Sequence, residues 1–126
     1  MNYPEKLFYT KDHEWISFEG DTGLIGITDF AQKELGDIVY LDVNTLKEII
    51  EGEKVFGTIE AVKTVSDLFM PLKGEVLEIN QKVIDAPQLI NTDPYGEGWL
   101  IKIKVITQSE KENLLTANEY KKLIGA

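Results

Sequence analysis

Most of this chain reads as short, apolar-rich strands, and where apolar and polar residues alternate with a period of two the strand buries one face. The alternation is cleanest near the C-terminal third, where Trp99, Ile101, Ile103 and Val105 interleave with Lys102 and Lys104. Residues 14–18 and 23–28 flank Glu19-Gly20-Asp21, a turn tripeptide, and predict a hairpin. Residues 37–43, 55–61, 64–70 and 74–80 read as further strands, rich in β-branched and aromatic side chains. Pro71 ends the 64–70 segment because it has no N–H for a ladder. Asp93-Pro94-Tyr95-Gly96 is a strong turn signal.

The helical period enters in three places. Thr28 or Asp29 can cap a short helix through Leu35, with Gln32 three residues after Asp29 and Gly36 at the stop. Ser109 with Glu112, and Thr116 with Glu119, have capping-box spacing and predict two short helices in the tail. Tyr120, Leu123 and Ile124 would form the apolar face of the second, with Gly125 to end it. The expected fold is mainly β: a β-sandwich or flattened barrel (a barrel-sandwich hybrid) with short peripheral helices, including a C-terminal helical tail. No linker or low-complexity stretch divides the chain, so residues 1–126 are expected to be one domain, with a strand core at about 22–104 and a helical tail at about 109–125.

Composition narrows the function classes. The 126 residues are 43% hydrophobic, which excludes a disordered chain. Thirteen Lys and Arg against 22 Asp and Glu give a net charge of −9, a poor match for nucleic acid or anionic membranes. Such a surface suits basic protein partners and also solubility. Cysteine is absent, which removes disulfides, thiolate metal sites and a Cys nucleophile, and the single histidine, His13, makes a histidine-rich metal site unreachable. The first ten residues have no signal-peptide core, and no apolar run approaches a membrane span, so a soluble, cytoplasmic protein is expected. A monomer is the default, since no large apolar face stands out in the pattern.

Catalytic constellations are missing. The chain has no Ser-His-Asp or Cys-His pairing and no Gly-rich phosphate loop, and Gly96-Glu97-Gly98 lacks the strand-before, helix-after setting of a dinucleotide site. His13 beside Glu14 and Trp15 could serve as a base, but a structural or exposed imidazole is the commoner case. The hairpin around Lys63 differs. Val62-Lys63 separates two strong strands where Asn-Gly or Asp-Gly is usual, because the favoured two-residue turns need positive φ. A broken local rule between good strands invites a functional reason, although an ordinary solvated turn lysine would also satisfy the spacing. A lysine that anchors a cofactor must be exposed, rigidly flanked and clear of competitors, and a hairpin tip supplies all three. Acylation removes its charge and leaves a long arm on a fixed base, which raises the effective concentration of the cofactor at a docked partner.

The chain resembles the glycine cleavage system H proteins across essentially its whole length. The matching segments are Tyr9-Thr10-Lys11-Asp12-His13-Glu14-Trp15, Gly26-Ile27-Thr28-Asp29-Phe30-Ala31-Gln32, Leu35-Gly36-Asp37-Ile38-Val39, residues 71–76, and Asn91-Thr92-Asp93-Pro94-Tyr95-Gly96-Glu97-Gly98-Trp99. Glu60-Ala61-Val62-Lys63-Thr64-Val65-Ser66-Asp67 looks like that family's lipoyl-lysine motif. Each alone is weak; together, in order and at near-family spacing, they are specific. The resemblance implies a lipoyl-domain-like sandwich with lipoate amide-linked to Lys63 as a swinging arm. It further implies a carrier with no catalysis of its own. The aminomethyl group of glycine would be taken from the pyridoxal-phosphate glycine decarboxylase (P protein) to the folate-dependent aminomethyltransferase (T protein), with reoxidation by dihydrolipoyl dehydrogenase (L protein). A lipoate ligase or octanoyltransferase would load it. Carboxylates matching Glu14 and Asp67 are implied to lie near the amine of the loaded arm in a surface cleft.

The departures from that family are small. Ala61 stands where Ser is common, and Asn44-Thr45-Leu46 replaces a Pro-containing loop. Biotinyl domains usually place Met on both sides of the lysine, where Val62 and Thr64 stand here. Acyltransferase lipoyl domains usually carry Asp before it and lack the tail. Two other roles remain compatible with the residues: a relay donor of lipoyl or octanoyl groups to other proteins, and an unmodified β interaction module.

Overall fold

The computed structural model describes residues 2–126. The strands are β1 (Phe8–Tyr9), β2 (Glu14–Glu19), β3 (Thr22–Ile27), β4 (Ile38–Asp42), β5 (Ile49–Ile50), β6 (Val55–Ala61), β7 (Val65–Phe69), β8 (Gly74–Ile79) and β9 (Ile101–Val105). The helices are α1 (Asp29–Leu35), α2 (Gln81–Asp85), α3 (Leu89–Thr92) and α4 (Ala117–Ile124), with a 3-10 helix at Gln108–Asn113. Two open antiparallel sheets form, one of six strands in the order β1-β2-β3-β9-β8-β5 and one of three in the order β4-β6-β7. The architecture is thus the sandwich form of the expected β fold, with short helices at its margins.

Period-two patterning does what it predicts. On β9, Ile101, Ile103 and Val105 are buried while Lys102 and Lys104 point outward. They join Ile16 and Ile25 of β2 and β3, and Val76 of β8, in a core with Leu41, Phe56, Ile59 and Leu68 from the smaller sheet. A second cluster, built from Tyr3, Leu7, Tyr9, Trp15, Ala117 and Tyr120, attaches the tail to the β1–β2 hairpin. Tyr9 and Tyr120 stack with ring centroids 4.9 Å apart.

Caps explain where the helices start and stop. Thr28, and not Asp29, is the N-cap of α1: its hydroxyl accepts from the Ala31 N–H, while the Gln32 side chain turns instead to Asp29 Oδ1 at 2.7 Å. Gly36 ends this helix at φ +79° and ψ −158°, a conformation open essentially to glycine alone. The Thr116–Glu119 capping box has both of its bonds, and Gly125 closes α4 in the left-handed region.

Three expectations are corrected. The Ser109–Glu112 pair caps nothing; a 3-10 helix forms there with Thr107 as an N-cap that makes no side-chain bond. Leu123 faces solvent, so the buried side of α4 is carried by Ala117 and Tyr120, with Ile124 partly packed. The 37–43 and 64–70 segments shorten to β4 and β7. Four elements go beyond the sequence reading: α2, α3 and the two-residue strands β1 and β5.

Candidate functional site

The β6–β7 hairpin presents Lys63 as the sequence predicts. Glu60 pairs with Val65, so Ala61 and Thr64 face each other next and Val62-Lys63 is the tip. The Ala61 N–H donates to the Thr64 carbonyl at 2.8 Å, and the Val62 N–H donates to the Asp37 carbonyl at 3.0 Å. Neither Val62 nor Lys63 has positive φ. The turn is therefore not of the mirror-image type, and the β-branched Val62 is no misfit. Lys63 is exposed, makes no ion pair among the described residues, and lies over the α1 terminus: its Cε is 3.7 Å from where a Cβ on Gly36 would stand. Ala61 is buried against Ile38, so its side chain belongs to the core and not to the anchor's surface.

A cleft of about 400 Å³ opens beside this tip, between α1, the edge of β7 and the start of β2. Its walls combine apolar Phe30, Leu35, Ile59 and Leu68 with the carboxylates of Glu14 and Asp67. Both sequence-predicted carboxylates thus meet in one cleft, and His13, Asp12 and Glu34 join them. They differ in setting. Asp67 is exposed, whereas Glu14 is only 1% accessible. One Glu14 oxygen accepts from the Phe69 N–H at 2.9 Å and the other from the Thr10 hydroxyl at 3.1 Å. Because β7 is an edge strand, the first bond also satisfies a ladder donor that would otherwise lack a partner. Burial disfavours the charged form and pushes the Glu14 carboxyl up to about 8, against the downward pull of the Phe69 bond.

His13 sits at φ +69°, a rare conformation for a side-chain-bearing residue. The turn that imposes it is built by Thr10, whose hydroxyl accepts from the Asp12 and Glu14 N–H groups, both at 3.2 Å. The imidazole is half-buried, tilted against Phe30 at 4.9 Å, and hydrogen-bonded through Nδ1 to the Tyr120 hydroxyl at 2.9 Å. That hydroxyl also meets Thr28 Oγ1 at 2.8 Å, so α4 ties the His13 turn to the α1 cap. Burial lowers the affinity of His13 for a proton, while Asp12 and Glu34 pull the other way. The imidazole is a structural member of the cleft wall.

Sequence reasoning missed Phe30, Glu34 and Leu35 as cleft walls and Thr10 as the organiser of the floor. For Thr10 a local signal existed: a hydroxyl two residues before Asp12 is the spacing of a side-chain turn. For the α1 residues none did, because which side of a seven-residue helix faces a cleft depends on the sheet it lies against.

The walls fit a lipoyl-lysine arm on chemical grounds. An acyl chain gains from the apolar stretch between Gly36 and Leu68, and an amine at its end would meet Glu14 and Asp67. Among the described residues no helix is long and apolar enough to cross a membrane, and no cluster of three or more His, Cys, Asp or Glu could hold a metal.

The chain is 55% identical to a glycine cleavage system H protein of Bacteroides thetaiotaomicron over 99% of both chains. It is 56% identical to the same protein of Chlorobium phaeobacteroides over the full length of each. The crystal structure of a glycine cleavage system H protein from Mycobacterium marinum superposes with a TM-score of 0.86 at 37% identity, covering 98% of this chain and 99% of that one. The profile of the glycine cleavage H-protein family matches residues 7–126, and the chain belongs to that family of lipoyl carriers.

Proposed function

We propose that Lys63 is the lipoyl attachment point and that this chain, catalytically inert itself, shuttles the aminomethyl group of glycine. In this reading it receives the group from the decarboxylase (P protein), delivers it to the aminomethyltransferase (T protein) and is reoxidised by dihydrolipoyl dehydrogenase (L protein). The observation that carries it is an exposed, unpaired lysine on a closed hairpin tip whose side chain leads toward a cleft with a buried carboxylate on its floor. We place this monomeric carrier in the cytoplasm, loaded by a lipoate ligase or octanoyltransferase, and take residues 1–126 as one carrier unit.

Loading forms an amide. The Lys63 amine attacks an activated lipoyl carbonyl, the activating group leaves with the bonding electrons, and the nitrogen gives up its proton to solvent. When bound, the lipoyl group would supply a disulfide, a two-electron acceptor that can carry a one-carbon amine on one sulfur and must be reoxidised from the dithiol after that amine has left. The chain's own residues do the remaining work. The paired strands hold the Lys63 backbone still, Phe30, Leu35 and Leu68 keep water from the arm, and Glu14 and Asp67 face the ammonium it carries. Glu14→Ala is expected to leave lipoylation intact and to speed hydrolysis of aminomethyl-loaded protein; an unchanged hydrolysis rate would remove Glu14 from this role.

The test is intact mass after co-expression with a lipoate ligase. Wild type is expected to gain one lipoyl group, and Lys63→Arg none with its fold unchanged. No gain in wild type, with the ligase active on a known acceptor, would reduce Lys63 to a surface turn residue.

A further inference from the structure

The bond that joins His13 to Tyr120 belongs to a chain of hydroxyls whose protons have one consistent order. Thr28 is fully buried, and its Oγ1 already accepts the Ala31 N–H at 3.1 Å as the cap of α1. Its own proton needs an acceptor, and the Tyr120 oxygen at 2.8 Å is the one it meets among the described residues. A buried donor left without an acceptor is the costly alternative, so Thr28 donates to Tyr120. Tyr120, also fully buried, has a single hydroxyl proton, which goes to its other partner, His13 Nδ1 at 2.9 Å. Nδ1 is then an acceptor, and the neutral imidazole carries its hydrogen on Nε2. An imidazolium would bear N–H at both nitrogens and set the Nδ1 proton against that of Tyr120. The ring has no freedom to turn away, because the Thr28 N–H also holds the His13 carbonyl at 3.0 Å. The charged groups around it are all carboxylates: Asp12 and Glu14 on its own turn, Glu34 from α1 and Asp67 from β7 line the cleft with it, and no lysine does. Lys63 at the hairpin tip leads toward that cleft, and acylation removes its charge. A protonated His13 would therefore be the cleft's own cation.

We propose that Tyr120 is a positioning residue of the carrier: with Thr28 behind it, it fixes His13 as a neutral imidazole protonated on Nε2, and so keeps the cleft's carboxylates free for a cationic arm. The inference rests on the carrier reading and deepens it by naming what makes the cleft selective for an ammonium. Selectivity of this kind comes from leaving a competitor out. An imidazolium beside Asp12 and Glu34 would pair with them and repel an incoming ammonium; a neutral ring does neither, and its Nε2–H remains a donor. Asp12 and Glu34 favour a proton on the ring, and burial opposes them more strongly. Tyr120 acts on the same side as burial, because the proton it donates holds Nδ1 as an acceptor. It lines no wall of the cleft itself, so its effect on the arm passes through His13.

Because His13 is the single histidine, 15N NMR over a pH series reads its two ring nitrogens directly. Wild type is expected to show a bare Nδ1 and a protonated Nε2, and to resist further protonation until well below the ordinary imidazole value of about 6.5. Tyr120→Phe keeps the stack on Tyr9 and should titrate near that value. Thr28→Val, which frees the Tyr120 oxygen to accept, should move the same way, whereas Thr28→Ser keeps the hydroxyl and should match wild type. The functional readout is hydrolysis of lipoylated, aminomethyl-loaded protein over the same pH series. The rate of Tyr120→Phe relative to wild type is expected to rise about threefold or more as pH falls through about 6.5, the scale of one partly exposed charge pair. A ratio that does not change with pH would overturn the proposal and leave Tyr120 a packing residue. So would an Nδ1–H tautomer in wild type, or a Thr28→Ser protein that titrates like Tyr120→Phe. Failure of the wild type to accept lipoate at all would instead bring down the carrier reading, and the cleft's selectivity with it, while the tautomer result would still stand.

Discussion

The tip of the β6–β7 hairpin and the floor of the neighbouring cleft stand on opposite terms with water. At the tip, Val62 and Lys63 project into solvent, and one backbone bond closes the turn. On the floor, Glu14 is buried with both oxygens bonded, and His13 is held by a hydroxyl from the far end of the chain. The tip needs access and a still backbone, so short-range pairing suffices. The floor holds a carboxyl stripped of water, which burial keeps protonated up to about 8 and which an ammonium brought beside it would drive to its charged form. The first can be changed with little cost to the fold; the second is bound up with it.

Substitutions can break or sharpen that contrast. The largest expected effect on stability at a fixed pH is Gly26→Ala, behind the floor, where β3 pairs with Trp15 next to Glu14. A Cβ there would stand 2.6 Å from three atoms of the Trp15 indole, whose Nε1–H also donates to the Pro94 carbonyl at 3.0 Å. A rigid, fully buried ring must move, and the expected loss is about 2–3 kcal/mol by urea denaturation. A stability equal to wild type would mean the Trp15 pocket is looser than it stands here.

Next comes a pH effect from Glu14. Burial pushes its carboxyl up to about 8 in the fold from an ordinary 4.5, so between those values the folded state holds the extra proton. That contribution is fully present below about 4.5 and is lost as pH rises through 8. Glu14→Gln cannot ionise, so the variant should gain on wild type as pH rises through the window, by up to about 1.4 kcal/mol per pH unit. Parallel stability curves for the two proteins would show that Glu14 is not desolvated.

Tyr120→Phe is smaller. It keeps the stack on Tyr9 and removes the hydroxyl shared by His13 and Thr28, at an expected cost of about 1–2 kcal/mol. The single histidine makes the readout clean: loosened and wetter, the His13 imidazole should titrate closer to its ordinary value by NMR. An unmoved titration would leave Tyr120 a packing residue only. Smallest of all, Val62→Thr or Val65→Thr should change stability by less than about 0.5 kcal/mol, because neither side chain packs against the core. A larger loss would mean the tip is not independent of the fold.

How far the fold was legible follows the same division. Strands whose one face is buried announce themselves by alternation, clearest at residues 99–105 and β9, while residues 55–61 and 74–80, close to β6 and β8, show in β-branched and apolar content. Caps that use their own side chains, such as Thr116 with Glu119, were legible too. Ser109 with Glu112 has the same spacing and caps nothing, since the 3-10 helix starts one residue earlier, at Gln108, and leaves Ser109 inside it. The helices α2 and α3, of five and four residues, are too short to show a period, and β1 and β5 exist only through the strands they pair with. Lys63 was legible as an exposed hairpin lysine. Glu14 and Asp67 entered only through the family resemblance, since nothing local says that residues 53 positions apart border one cleft.

By itself, then, the chain's order of residues determined the strand pattern, the start and stop of α1 and α4, and a lone lysine on a β-branched hairpin tip, because each depends on neighbours a few positions away. The tertiary structure alone decided that the α1 face, the β7 edge and the Thr10 turn enclose one cleft, that Glu14 loses its water there, and that Tyr120 reaches His13. Desolvation belongs to groups brought together by packing, and the His13–Tyr120 bond, spanning 107 positions, has no counterpart in any local period.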